Sequence, residues 1–122
     1  MNVRELEPKI VWNFFEDLNA VPRPSKKEEK IIEFMMNFGH SLELETYKDP
    51  AGNVIIRKPA SKGMETRKAV ILQSHLDMVH QKNEETVFDF LTQGIESFID
   101  GQWVTAKGCL LYTSDAADEG GS

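Results

Sequence analysis

The feature that most constrains the fold is residues 69–72, Ala-Val-Ile-Leu, an apolar run without any polar residue. A strand with one solvent-exposed face alternates apolar and polar residues, whereas a strand buried on both faces is apolar throughout. The run therefore predicts a buried strand with other structure packed on both of its sides.

Two helices are predicted ahead of this strand. Pro8 suits the first position of a helix, and apolar residues then recur at helical spacing as far as Leu18. Ser25 and Glu28 fit a capping box, in which each side chain binds the backbone amide of the other residue. The second predicted helix follows this box and ends before Gly39, a residue type that often terminates helices.

Two β-hairpins are predicted from turn residues that lie between short strand-like segments. Residues 42–47 alternate apolar and polar, and turn-forming residues at 49–53 lead into a second apolar segment at 54–56. Asp100-Gly101 is a strong signal for another tight turn. The order of elements indicates an α/β or α+β fold whose helices pack on a mixed sheet.

His75 and Asp77 follow the apolar run directly. Residues two apart in an extended strand point to the same side, so both side chains are expected to enter one cavity. A neutral imidazole is a good zinc ligand, and a carboxylate on its other nitrogen fixes its tautomer. Strand ends in α/β sheets are also common ligand sites. The spacing alone favours a purely structural His–Asp pair, which gives the same three residues.

The composition argues against several classes of partner. The net charge is -6 and the basic residues are scattered among acidic ones, so a nucleic-acid partner is not expected. No apolar stretch approaches the length of about 20 residues that spans a bilayer, so no membrane partner is expected either. Cys109 is the single cysteine, which excludes an intrachain disulfide and favours a reducing, cytoplasmic location.

Residues 70–83 (VILQSHLDMVHQKN) closely resemble the metal-binding segment of the aminoacyl-histidine dipeptidases. These enzymes are also called cytosol non-specific dipeptidases and belong to the M20 metallopeptidase family. Residues 22–25, 52–54 and 100–108 agree with the same family. The resemblance therefore covers nearly all of residues 1–108.

The resemblance implies part of the mixed-sheet catalytic domain of a zinc-peptidase-like fold. His75 matches the histidine that ligates one of two zinc ions, and Asp77 matches the aspartate that orients this histidine. It also implies two zinc ions, or other divalent metals, in the intact parent protein, with dipeptides as substrates. A homodimeric parent is compatible with the resemblance.

Residues 109–122 depart from the family and resemble translated vector sequence. We therefore expect residues 1–108 to be the amino-terminal part of an incomplete catalytic domain and this chain to be inactive alone. Two alternatives remain open. One is another M20-type hydrolase, such as a deacylase or carboxypeptidase, and the other is a non-catalytic domain with a structural His–Asp pair.

Overall fold

The computed structural model describes residues 2–78 and 92–107. These residues form an α/β arrangement of helices followed by strands, as predicted. The elements are a 3-10 helix (Val3–Glu5), α1 (Lys9–Asn19), α2 (Glu29–Ser41), β1 (Glu45–Lys48), β2 (Val54–Arg57), β3 (Ser97–Asp100) and β4 (Trp103–Ala106).

The chain divides into two compact units. The first is built from residues up to Ile31 and from Asp77 onward, and the second from Ile32 to Leu76. No helix within residues 2–78 and 92–107 is long and apolar enough to cross a membrane.

In the first unit, α1 begins immediately after Pro8, which is the N-cap residue rather than the first helical residue. The Arg4 side chain ties the preceding 3-10 helix to α1, since it donates to Asp17 Oδ1 at 2.9 Å and to Asn13 Oδ1 at 3.0 Å. The helix ends at Asn19, whose side chain is buried. The first helix is therefore confirmed.

The hairpin of β3 and β4 completes the first unit. The two strands pair antiparallel, with Ser97 opposite Ala106 and Asp100 opposite Trp103. Gly101 occupies the turn at a φ of 61°, a conformation that glycine adopts without a steric penalty. The Ser97 hydroxyl donates a hydrogen bond to Glu16 of α1. The predicted second hairpin is confirmed.

In the second unit, β1 and β2 form the other predicted hairpin, with Glu45 opposite Arg57 and Lys48 opposite Val54. Asp49 organises the turn, since its Oδ1 accepts from the backbone amides of Ala51 and Asn53, each at 2.9 Å. β1 begins three residues later than predicted. Glu43 has a φ of 57°, which interrupts an extended backbone before the strand starts.

Helix α2 differs from its prediction at both ends. The capping box does not form, because the helix begins at Glu29 and the Glu28 carboxylate accepts from the Lys26 amide at 2.6 Å. At the other end the helix passes through Gly39. A Cβ on Gly39 would lie within 3.0 Å of the Thr46 Cβ, so this glycine permits close approach of the β1 side chain.

The predicted buried strand at residues 69–72 is wrong. These residues are extended but belong to no strand, and Val70, Ile71 and Leu72 are 81%, 90% and 93% exposed. In the described part of the chain, each hairpin is a separate two-stranded sheet, so no mixed sheet incorporates this run. The run has the composition of a covered strand, but the described residues provide it with neither a pairing strand nor a covering layer.

Candidate functional site

Asp77 lies where two distant segments of the first unit pair. The Met78 amide donates to the Arg23 carbonyl at 2.9 Å, and the Ser25 amide donates to the Met78 carbonyl at 3.1 Å. These bonds make a parallel bridge between Pro24 and Met78. The backbone beside Asp77 is therefore held against the segment that follows α1.

The side chain of Ser25 binds Asp77 directly. Its Oγ donates to Asp77 Oδ2 at 2.6 Å, a short distance that is typical of a hydroxyl bound to a carboxylate. The same Oγ lies 3.4 Å from the Met78 carbonyl, at the long limit for a hydrogen bond. A hydroxyl has one hydrogen to donate, and the shorter contact assigns it to Asp77.

Arg23 places a positive charge near the same carboxylate. Burial lowers the pKa of Arg23 below its ordinary value, and the negative charge of Asp77 partly offsets this effect. Arg23 Nη2 also donates to Asn19 Oδ1 at 3.3 Å. Considering only the described residues, Arg23 Nε and Asn19 Nδ2 are buried without a hydrogen-bond partner. Asp77 thus has a directional donor in Ser25 and a favourable charge in Arg23.

His75 is exposed on the extended segment that ends the second unit. The residue as a whole is therefore accessible to solvent. The structure brings Ser25 and Arg23 to Asp77, whereas the predicted action of Asp77 on His75 stays a prediction.

A complete metal site is not found within the part of the chain that the structure describes. Residues 2–78 and 92–107 contain no group of three or more His, Cys, Asp or Glu side chains that could hold a metal ion. A catalytic zinc site typically uses three protein ligands and keeps a further position for water or substrate. An exposed histidine followed by an anchored carboxylate fits one ligand and its orienting group.

Ser25 and Arg23 are the residues whose role the sequence did not reveal. The pattern Ser-Lys-Lys-Glu predicts a helix cap at Ser25. A cap is recognised from residues three positions apart, whereas the contact that forms joins residues 52 positions apart. The only sequence signal was the likeness of residues 22–25 to the dipeptidase family, which gave the segment no role.

Comparisons with known proteins find similarity to two dipeptidases. No family model matches the chain. The chain is 44% identical over 107 residues to the cytosol non-specific dipeptidase of Escherichia coli (strain K12), covering 88% of this chain and 22% of that protein. It also matches the crystal structure of aminoacylhistidine dipeptidase from Vibrio alginolyticus with a TM-score of 0.85 and 40% identity. That match covers 98% of this chain and 25% of the other.

The chain therefore spans about a quarter of the length of these relatives. A match of 107 residues within 122 includes residues 16–107 wherever it begins, because only 122 − 107 = 15 residues lie outside it. His75 and Asp77 consequently lie inside the matched region. The resemblance to the aminoacyl-histidine and cytosol non-specific dipeptidases that the sequence predicted is thereby confirmed.

Proposed function

We propose that this chain is a segment of a metal-dependent dipeptidase in which His75 binds a metal ion and Asp77 orients its imidazole. The observation that carries the proposal is the 44% identity to a dipeptidase across a stretch that must contain both residues. Both relatives are named as dipeptidases, one of them for aminoacyl-histidine. Dipeptides are therefore the proposed substrates.

The surroundings of Asp77 support its proposed role. The Asp77 carboxylate accepts a hydrogen bond from the Ser25 hydroxyl at 2.6 Å and interacts electrostatically with Arg23. An ionised carboxylate can hold one imidazole N–H, which leaves the other ring nitrogen unprotonated for a metal ion. Asp77 is thus suited to fix the tautomer of His75.

The exposure of His75 supports its role as a ligand, because an incoming ion can reach an exposed residue. We propose two zinc ions, or other divalent metals, in the intact parent. When bound, such ions supply Lewis-acid polarisation of the scissile carbonyl. The described residues contribute one ligand to this arrangement, so the other ligands have to come from outside them.

The same proposal covers the organisation of the chain. We assign residues 1–108 to the catalytic domain and residues 109–122, which lie outside the described residues, to a non-family tail. The relative from Escherichia coli is named for the cytosol, which supports a cytoplasmic location for the parent. A homodimeric parent is proposed on the family resemblance alone.

A chimera tests the proposed function. Residues 1–107 of this chain replace the matching segment of the Escherichia coli dipeptidase, and zinc-dependent hydrolysis of Gly-His is measured. We expect hydrolysis by the chimera and none by the purified 122-residue chain, since the latter lacks a complete ligand set among its described residues. A folded, zinc-loaded chimera without dipeptidase activity would contradict the proposal.

A further inference from the structure

We infer that Ser25 is a positioning residue that fixes the carboxylate of Asp77 and, through it, the imidazole of His75. The inference rests on the proposed function, because it requires Asp77 to orient a metal-binding histidine. It assigns a role to a residue that touches neither the metal ion nor the substrate.

The geometry provides two separate restraints on Asp77. The backbone bridge between Pro24 and Met78 fixes the position of the chain beside the aspartate. The hydrogen bond from Ser25 Oγ to Asp77 Oδ2 then fixes how the carboxylate is turned about its side-chain bonds. The backbone bonds alone would leave the side chain able to change rotamer, so the hydroxyl adds a restraint on the direction of the carboxylate.

Ser25 and Arg23 contribute differently to this restraint. Arg23 supplies a charge, and its guanidinium also donates to Asn19 at 3.3 Å. Ser25 supplies a single short bond with a defined direction, to one carboxylate oxygen. A carboxylate accepts at both oxygens, so a bond at Oδ2 is compatible with an imidazole donor at Oδ1. Ser25 therefore contributes a restraint with a defined direction.

The contact also explains why Ser25 is not used as a helix cap. α2 begins four residues later, at Glu29, and the Lys26 amide is satisfied by Glu28. The Ser25 hydroxyl is thus committed to Asp77 rather than to the helix.

The test uses the chimera and measures zinc affinity by competition with a chromophoric chelator, together with kcat and KM for Gly-His. Ser25→Ala is expected to weaken zinc binding about 10-fold, the lower end of the 10–100-fold loss for groups that support a ligand. kcat should fall while KM changes little. Ser25→Thr, which keeps the hydroxyl, should restore both, whereas the similarly shaped Ser25→Val should not. The Thr and Val pair also separates the hydroxyl from packing if Ser25→Ala folds poorly.

A double-mutant cycle decides whether Ser25 acts through Asp77. In an Asp77→Asn background, Ser25→Ala should cause less than a 2-fold further loss of zinc affinity, because the carboxylate it orients is already gone. Ser97→Ala is the matched control. It removes another serine–carboxylate bond of the first unit, the one to Glu16, and should leave zinc affinity unchanged.

Failure of the positioning role of Ser25 and failure of the proposed function give different results. An unchanged zinc affinity in Ser25→Ala, or an equal loss in the Asp77→Asn background, overturns the positioning role while leaving the proposed function intact. If His75→Ala binds zinc as tightly as the unsubstituted chimera, the proposed function falls and the role of Ser25 falls with it.

Discussion

The hairpin of β3 and β4 and the apolar run at residues 69–72 both have the composition of strands, yet only the hairpin forms them. In the hairpin, each strand finds its partner across a turn at Gly101 and Gln102. The apolar run forms no strand, and Ile71 is 90% exposed. The two segments differ in how far away in the sequence their pairing strand lies. In a hairpin, the pairing strand is only a few residues away.

A covered strand has a different requirement, because its neighbours and both covering layers come from distant parts of a chain. This chain spans about a quarter of the length of its relatives. All four strands of the described residues pair within two separate hairpins, so none of them pairs with residues 69–72. Strands that pair with a neighbour close in sequence therefore form in this chain. The distant segments that would cover residues 69–72 are not found within the part that the structure describes.

The largest expected effect compares the same substitution at two isoleucines. Ile31 is fully buried, so Ile31→Ala should lower the free energy of unfolding by about 2–5 kcal/mol. Ile71 is 90% exposed, so Ile71→Ala should change it by less than about 0.5 kcal/mol. Urea unfolding of the 122-residue chain and both variants measures the two values. Equal losses would break the comparison between covered and uncovered segments.

Measuring Ile31→Ala and Ile71→Ala in the chimera tests whether distant sequence covers residues 69–72. If distant sequence supplies the cover, Ile71→Ala should become destabilising in the chimera by about 2–5 kcal/mol. The Ile31→Ala variant serves as the control, because its surroundings are already complete. A neutral Ile71→Ala in the chimera would show that the run is exposed there as well.

A smaller effect is expected where α2 meets β1. Gly39→Ala should destabilise the chain by about 1–3 kcal/mol, because the new methyl group would collide with the Thr46 side chain. Adding Thr46→Ala should recover most of this loss, since it removes the colliding atoms. Thermal unfolding of the single and double variants measures the coupling. A Gly39→Ala chain as stable as the original would contradict the close approach.

The smallest effect is the acid sensitivity of the β1–β2 turn. Hydrogen bonds from the Asn53 side chain and then from backbone amides lower the pKa of Asp49 below its ordinary value of 3.8. A lowered folded-state pKa gives stability that is present above pH 3.8 and is lost as the pH falls through the folded value. The Ala51 and Asn53 amide NMR signals should therefore shift below that pH in the original chain and not in Asp49→Asn.

The sequence predicted those parts of the molecule that depend on neighbouring residues. α1 and both hairpins follow from apolar spacing and from turns that begin at Asp49 and Gly101. The end of α2 was missed because the need for Gly39 comes from Thr46, on a strand, and not from the helix itself.

The candidate site divides in the same way. His75 and Asp77 were proposed as a pair from their two-residue spacing together with the resemblance of residues 70–83 to the dipeptidases, and their joint role stays a prediction. Ser25 was not recognisable, since its contact with Asp77 spans 52 positions and competes with a plausible local cap. Residues 69–72 were recognisable as strand-forming, but composition does not show whether covering segments are present.

The proposed function depends on the binding of a metal ion by His75. The most direct test measures zinc affinity in the chimera for His75→Ala and for the control His40→Ala, which removes another imidazole from the last turn of α2. We predict that His75→Ala weakens zinc binding at least 100-fold, because a direct ligand contributes more than the 10–100-fold of its supporting groups, whereas His40→Ala leaves it unchanged. Undiminished zinc binding by His75→Ala would contradict the account.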